Sequence, residues 1–157
     1  MKLEKIILSI ILVASVIFLY YFDYKASNPY YEKEKAIVTN VIDGDTIITS
    51  GGERIRLLGI DSPEKGEYTY KEAKARLEQL VEQKEVSLLR EKEDRDQYDR
   101  LLRWIFLNDT NINLLLVQEG LARCYFYETS KYQKNCKELE TNAIKYKIGM
   151  WINASAS

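Results

Sequence analysis

Histidine is absent from this chain of 157 residues. That removes imidazole general bases, Ser-His-Asp and Cys-His nucleophile systems, and His-ligated zinc. Two cysteines are too few for a four-cysteine zinc site or for a mini-fold stapled by several disulfides. With two prolines and seven glycines the chain is neither collagenous nor proline-rich. Neither sign of charge is in excess, since 23 Lys and Arg stand against 24 Asp and Glu. A sequence-indifferent nucleic-acid coat is usually far more basic, so a polyanion would have to be met at a local site. What is there suffices for a folded core: 46% apolar and 30% charged residues, on a length that fits one domain with an appendage. Catalysis has to run on carboxylates, Arg or Lys, hydroxyls or a hard metal ion.

The appendage is N-terminal, over residues 1–27. Ile6 to Phe22 carries no charge. As a helix it spans roughly 26 Å, close to a bilayer core. Lys2 and Lys5 precede it, and Tyr20 and Tyr21 sit at its far end like an interfacial belt. The segment reads as a cleaved signal peptide or a retained anchor. The missing A-x-A pattern after the apolar run favours the anchor, with the lysines inside and the domain outside. Apolar residues on every side argue against a core helix. Without residues 1–27 the remainder has a net charge near −2.

Asn28 to Lys35 is polar and reads as a linker, and residues 36–152 as the folded domain. Ala36 to Ile42 is β-rich, Asp43-Gly44 is a hairpin signal with positive φ expected at both positions, and Thr46 to Thr49 continues as a strand. Gly51-Gly52 makes the next turn and Arg54 to Ile60 reads as a third strand. Tyr70 to Gln83 places Ala73, Leu77, Leu80 and Val81 on one helical face. Val86 to Leu89 and Leu101 to Leu107 are further strands. Asn113 to Glu119 is helical up to Gly120, Leu121 to Tyr127 is extended or irregular, and Lys131 to Lys147 is a charged helix closed by Gly149. Five strands and three helices in this order predict an α+β domain, a small barrel with helices packed around it.

The chemistry-bearing residues gather near strand ends. Asp43 and Asp45 bracket the first turn, and Asp61 and Glu64 follow the third strand. If those strands form one sheet, both groups reach one rim. Converging carboxylates repel unless a cation joins them, and oxygen-only donors suit Ca2+ or Mg2+. Arg56 interrupts an apolar strand and so faces one side of the sheet. Arg100 opens the fifth strand after Asp96-Gln97-Tyr98-Asp99. Two guanidiniums beside such a cluster would clamp a phosphate. Taken singly, each of these features also reads as an ordinary turn or a surface ion pair.

Together the motifs Val41-Ile42-Asp43-Gly44-Asp45-Thr46, Arg56 to Glu64, Asp96 to Arg100, Gln118-Glu119-Gly120-Leu121-Ala122 and Gly149-Met150-Trp151 resemble the staphylococcal nuclease (thermonuclease) family, over about residues 36–151. The resemblance implies a five-stranded OB-fold β-barrel with three α-helices, and Ca2+-dependent hydrolysis of phosphodiester bonds in DNA and RNA that leaves a 3′-phosphate. It implies Asp45 and Asp61 as carboxylate ligands, with the Thr46 backbone carbonyl as a third. It implies Glu64 as general base, Arg56 and Arg100 as the phosphate-contacting arginines, and Tyr98 beside the bound nucleotide. The physics is consistent: the ion would hold the scissile group, Glu64 would supply the water for in-line attack, and the arginines would stabilise charge on the equatorial oxygens.

Asp99 departs from the family pattern, which often has Gly there. Its carboxylate is expected to weaken phosphate binding or to pair with Arg100. The loop from Lys65 to Lys71 is shorter and less basic than in the best-known member. Tyr125-Phe126-Tyr127 reads as packing more than base stacking. Cys124 and Cys136 either form a disulfide tying the last helix to the barrel, as an external location would allow, or stay as two thiols. Two other readings stand beside the nuclease: a catalytically inactive module of the same fold binding nucleic acid or protein at the membrane, and a membrane-tethered structural domain. Retention of Asp45, Asp61, Glu64, Arg56 and Arg100 together disfavours both. No obligate protein partner is evident, and the domain is read as a monomer.

Overall fold

The computed structural model describes residues 2–27 and 33–153. These fall into two units, the helix α1 (Lys2–Ser27) and a domain that begins at Lys33. Within α1, Lys5–Phe22 is long and apolar enough to cross a membrane. Its large side chains, from Ile6 to Phe22, are exposed.

The domain contains β1 (Lys33–Val41), β2 (Thr46–Thr49), β3 (Arg54–Leu57), β4 (Ile60–Asp61), α2 (Tyr70–Val81), β5 (Glu85–Leu89), β6 (Leu101–Leu107), β7 (Thr110–Asn111), α3 (Ile112–Gln118), β8 (Arg123–Cys124) and α4 (Gln133–Lys145), with a 3-10 turn at Gly149–Trp151. The order β3-β2-β1-β5-β6, with β3 also pairing β6 in parallel, closes a five-stranded mixed barrel. It is the α+β OB-fold barrel that the sequence predicts, with three helices around it.

β1 serves both halves of the barrel. Lys33 to Ile37 pairs with β5, and Val38 to Val41 pairs with β2 after a bulge at Thr39. Part of the expected linker is therefore strand, because Lys33 to Lys35 lie opposite Leu89 to Ser87; residues 28–32 lie outside the described residues. The core is formed by Ile47, Ile55, Leu57, Val86, Trp104 and Ile105 from the strands. Leu77 and Val81 enter it from α2, and Leu116 and Val117 from α3. Tyr132, just before α4, packs tilted against Trp104 with ring centres 4.7 Å apart.

Two local expectations change. The Asp43-Gly44 turn is not a double positive-φ hairpin, for neither residue has positive φ. Glycine is needed there for space: a Cβ would lie 2.7 Å from the Ser62 Cβ and 2.8 Å from that of Ala73. The third strand also stops at Leu57. Gly59, at φ +71°, turns the chain, and Ile60–Asp61 leaves to pair with β8. β8 is in turn tied to α4 by a disulfide between Cys124 and Cys136.

Candidate active site

The barrel register builds the site. Antiparallel pairing sets Thr46 opposite Arg56, and the Asp45 carbonyl accepts the Leu57 N–H at 2.8 Å. Asp45 therefore emerges beside Arg56 on the rim. The turn to β4 brings Asp61 to the same guanidinium. Arg56 Nε lies 3.2 Å from Asp45 Oδ1, and Nη2 lies 3.1 Å from Asp61 Oδ1. Nη1 donates to the carbonyls of Leu57 and Ile60 at 2.8 Å each. Every nitrogen of Arg56 is thus engaged, and its orientation is fixed.

Asp45 is buried. Its Oδ2 accepts the Ser62 N–H at 2.8 Å and its Oδ1 accepts the Thr46 hydroxyl at 3.1 Å. Burial pushes its carboxyl above the usual range, although Arg56 and the Ser62 N–H pull the other way; the Asp43 charge adds to the upward push. The Thr46 hydroxyl lies 3.5 Å from Arg100 Nη1, so contacts run without a break from Arg100 through Thr46, Asp45 and Arg56 to Asp61. The Thr46 carbonyl accepts the Ile42 N–H at 2.9 Å, which leaves it a second lone pair.

Arg100 is positioned by Asp96, whose Oδ2 accepts from Nε at 2.7 Å and forms an ion pair with Nη2 at 2.7 Å. The Arg100 guanidinium also lies 5.4 Å from the centre of the exposed Tyr98 ring. Asp99 does not pair with Arg100. Its φ of +61° turns its side chain to Arg95, 3.4 Å away. Glu64 is exposed on the loop after β4; its N–H donates to Glu67 Oε2 at 2.7 Å, and its carboxylate has no partner among the described residues.

Asp45, Arg56, Asp61, Glu64, Asp96, Tyr98 and Arg100 line one cleft of about 900 Å³, to which Asp43, Arg123, Tyr125 and Tyr127 also contribute. Asp45, Asp61, Arg56, Glu64, Arg100 and Tyr98 come together there from four separate stretches of chain.

A family model described as staphylococcal nuclease homologue matches residues 54–153. The chain is 32% identical to a thermonuclease of Staphylococcus intermedius, over 95% of this chain and 99% of that protein. It is 33% identical to a thermonuclease of Staphylococcus hyicus, over 74% and 75% of the two chains. It is 31% identical to a micrococcal nuclease of Shigella flexneri, over 83% and 80%. The chain belongs to the staphylococcal nuclease family. Membership supports a hydrolytic nuclease function acting on nucleic acid.

Within this staphylococcal nuclease homologue, two features of the cleft escape a reading of the motifs alone. Arg123 in β8 reaches Asp61 Oδ2 through both Nη2, at 2.7 Å, and Nε, at 3.0 Å. The tyrosines alternate around Phe126: Phe126 packs at 6.3 Å from Trp104, while Tyr125 and Tyr127 face out and share a 2.8 Å hydroxyl hydrogen bond. The extended period of two in Tyr125-Phe126-Tyr127 was the available signal for that split. For Arg123 no local signal existed, since its partner lies 62 residues away.

The donor set can be tested against a hard divalent ion. Among the described residues no group of three or more His, Cys, Asp or Glu side chains forms a metal cage. Two carboxylates do converge, on either side of Arg56, and their donors are oxygens alone. An oxygen-seeking ion fits such a pair if its other ligands are carbonyl, water and substrate oxygens.

Proposed function

We propose that this protein is a calcium-dependent nuclease that hydrolyses phosphodiester bonds of DNA and RNA. The observation that carries the reading is the single guanidinium of Arg56, held within 3.2 Å of both Asp45 and Asp61 on the wall of the shared cleft. A binding surface has no need of a fixed cation between two carboxylates with a second arginine linked to them through Thr46.

Asp45, Asp61 and the Thr46 carbonyl would hold the calcium ion, which supplies charge neutralisation at a non-bridging phosphate oxygen. Arg56 is locked by two backbone carbonyls and Arg100 by Asp96. Both guanidiniums therefore meet the charge that develops on the equatorial oxygens without reorganising first. Glu64 takes a proton from the attacking water on its free carboxylate. Tyr98, exposed beside Arg100, offers a ring face to the nucleotide. The helix α1 is proposed as an uncleaved anchor that leaves the domain outside the cell. A disulfide between Cys124 and Cys136 suits that oxidising side.

The test is hydrolysis of DNA and of RNA with and without a calcium chelator, repeated on Arg56→Ala and Glu64→Gln. Activity should vanish with chelator and fall on the order of 10²-fold or more in Arg56→Ala. Chelator-resistant hydrolysis, or rates untouched by both substitutions, would overturn the mechanism, and nucleic-acid binding with no hydrolysis under any of these conditions would favour the inactive binding module.

A further inference from the structure

We propose that Arg123 is an exchangeable placeholder on Asp61: it competes with the divalent ion for Oδ2 and, once displaced, turns to a phosphate of the substrate. The inference rests on the calcium-assisted reading above and names a residue that couples ion binding to nucleic-acid binding.

Asp61 is gripped by a guanidinium on each oxygen. Arg56 holds Oδ1 at 3.1 Å and Arg123 holds Oδ2 at 2.7 and 3.0 Å. The two arginines differ in freedom. Arg56 is nearly buried and carries two carbonyl acceptors and Asp45 besides. Arg123 is 57% exposed, and Asp61 is its sole hydrogen-bonded or ion-paired side-chain partner among the described residues. An ion that takes Asp61 therefore displaces Arg123 and not Arg56.

The released guanidinium stands where the main cleft meets a smaller pocket of about 260 Å³, lined by Asp61, Ser62, Glu64, Glu67 and Tyr68. Among the described residues Arg123 is the one basic residue lining that smaller pocket, so it is the group there that an incoming phosphate can meet, and it can bind it with two donors. Ion binding thus converts an internal salt bridge into an external phosphate contact. By linkage the two ligands then strengthen each other by the same factor.

Calorimetric titration of calcium into the full-length chain in detergent, without nucleic acid, tests the competition. Arg123→Gln should bind calcium about three- to tenfold more tightly than wild type, the range expected when an exposed ion-pair partner is removed from a ligand and a nearby positive charge is lost. A merely structural residue would act in the opposite sense, loosening the ion when lost. The second half is read with a short nuclease-resistant phosphorothioate oligothymidylate. Calcium should raise wild-type affinity more than it raises that of Arg123→Gln, and the salt slope of the variant should fall by about 0.7, one single-strand phosphate contact. Arg123→Lys, which keeps the charge, should restore most of both effects, and all three proteins should melt alike because the side chain is exposed.

Unchanged or weaker calcium binding by Arg123→Gln, with wild type still binding calcium and hydrolysing DNA, would overturn the placeholder role alone. Absence of calcium binding in wild type and both variants would overturn the calcium reading and the placeholder with it. Binding by Arg123→Gln where wild type binds none would support the competition.

Discussion

Asp96 holds Arg100 from two directions. Its Oδ2 takes Nε and Nη2 of the guanidinium at 2.7 Å, while its Oδ1 takes the backbone N–H groups of Tyr98 and Arg100 at 2.9 and 3.0 Å. One carboxylate thus shapes the loop and aims the arginine that the loop presents. Asp96→Asn separates the two tasks. The amide oxygen can still accept from the backbone, but the amide nitrogen cannot accept from Arg100.

For Asp96→Asn we expect hydrolysis to fall about tenfold, by loss of an oriented donor, and stability at neutral pH to fall by about 1.5–3 kcal/mol, as for hydrogen bonds to a charged group. The acid dependence should change as well. Burial alone would raise the Asp96 carboxyl, yet the N–H groups and charge of Arg100, together with the Tyr98 N–H, hold it below the usual range. A depressed carboxyl contributes stability that is present above its unfolded value, about 3.9, and is lost as pH falls through the folded value. Wild type should lose this stability on acidification, and urea unfolding from pH 7 to acid should show a shallower fall in Asp96→Asn. Asp94, which faces Arg103 at 2.8 Å and is likewise depressed, leaves a residual acid dependence in the variant. An unchanged slope would mean that Asp96 does not hold Arg100 in its charged form.

Period and turn chemistry made most of the barrel legible. β2, β6 and the buried face Ala73, Leu77, Val81 of α2 fall where the spacing predicts. The break after Leu57 was not legible, because Arg54 to Ile60 is uniformly strand-like and only the distant partner β8 draws Ile60–Asp61 away. The same pairing hid Arg123. Arg56 was legible because a charge inside an apolar strand must face out of the core. Asp99 was misplaced for a backbone reason: its left-handed conformation, unreadable from neighbours in sequence, directs the side chain to Arg95.

That conformation makes Asp99 a site for stabilisation. A non-glycine residue at φ +61° carries a steric cost, which glycine avoids. The Asp99–Arg95 pair offsets little of it, because the Asp99 side chain is 86% exposed. Asp99→Gly should raise stability by about 0.5–1 kcal/mol, the relieved left-handed cost less the extra chain entropy of glycine, and leave Arg100 on Asp96. Denaturant unfolding measures the first and hydrolysis rate the second. A loss of stability would show that the Arg95 contact outweighs the backbone cost.

The disulfide joins the strand that carries Arg123 to α4, and the Cys136 side chain is wholly buried. Closing a short loop in the unfolded chain is worth about 3 kcal/mol in the chain-entropy picture. Cys124→Ser with Cys136→Ser, or reduction of the wild type, should lower stability by about 2–4 kcal/mol. Because β8 pairs directly with Ile60 and Asp61, hydrolysis should fall at temperatures where the domain is still folded. Comparing activity against circular dichroism melts with and without reductant checks both parts. Identical melts would remove the staple from the account.

Gly44 links packing to chemistry most tightly. A methyl at this position meets the Ser62 Cβ at 2.7 Å, its hydroxyl at 2.8 Å and the Ala73 Cβ at 2.8 Å. No flexible side-chain end is available to yield, so either the β1–β2 turn or the Ser62 segment must move. Ser62 donates its N–H to Asp45, and Asp61 is its neighbour, so movement there pulls apart the two carboxylates that share Arg56. Gly44→Ala should cost about 1–3 kcal/mol, as for overpacking, and should depress hydrolysis beyond what the lost stability explains. Ala73→Gly removes one of the opposing methyls from α2. Added to Gly44→Ala it should recover part of the activity, even though glycine inside a helix costs about 1 kcal/mol by itself. A double-mutant cycle on rate and on unfolding free energy gives the coupling. Strict additivity in both would mean that Gly44 and Ala73 do not press on each other, and that the close approach of α2 to the first turn does not set the spacing of Asp45 and Asp61.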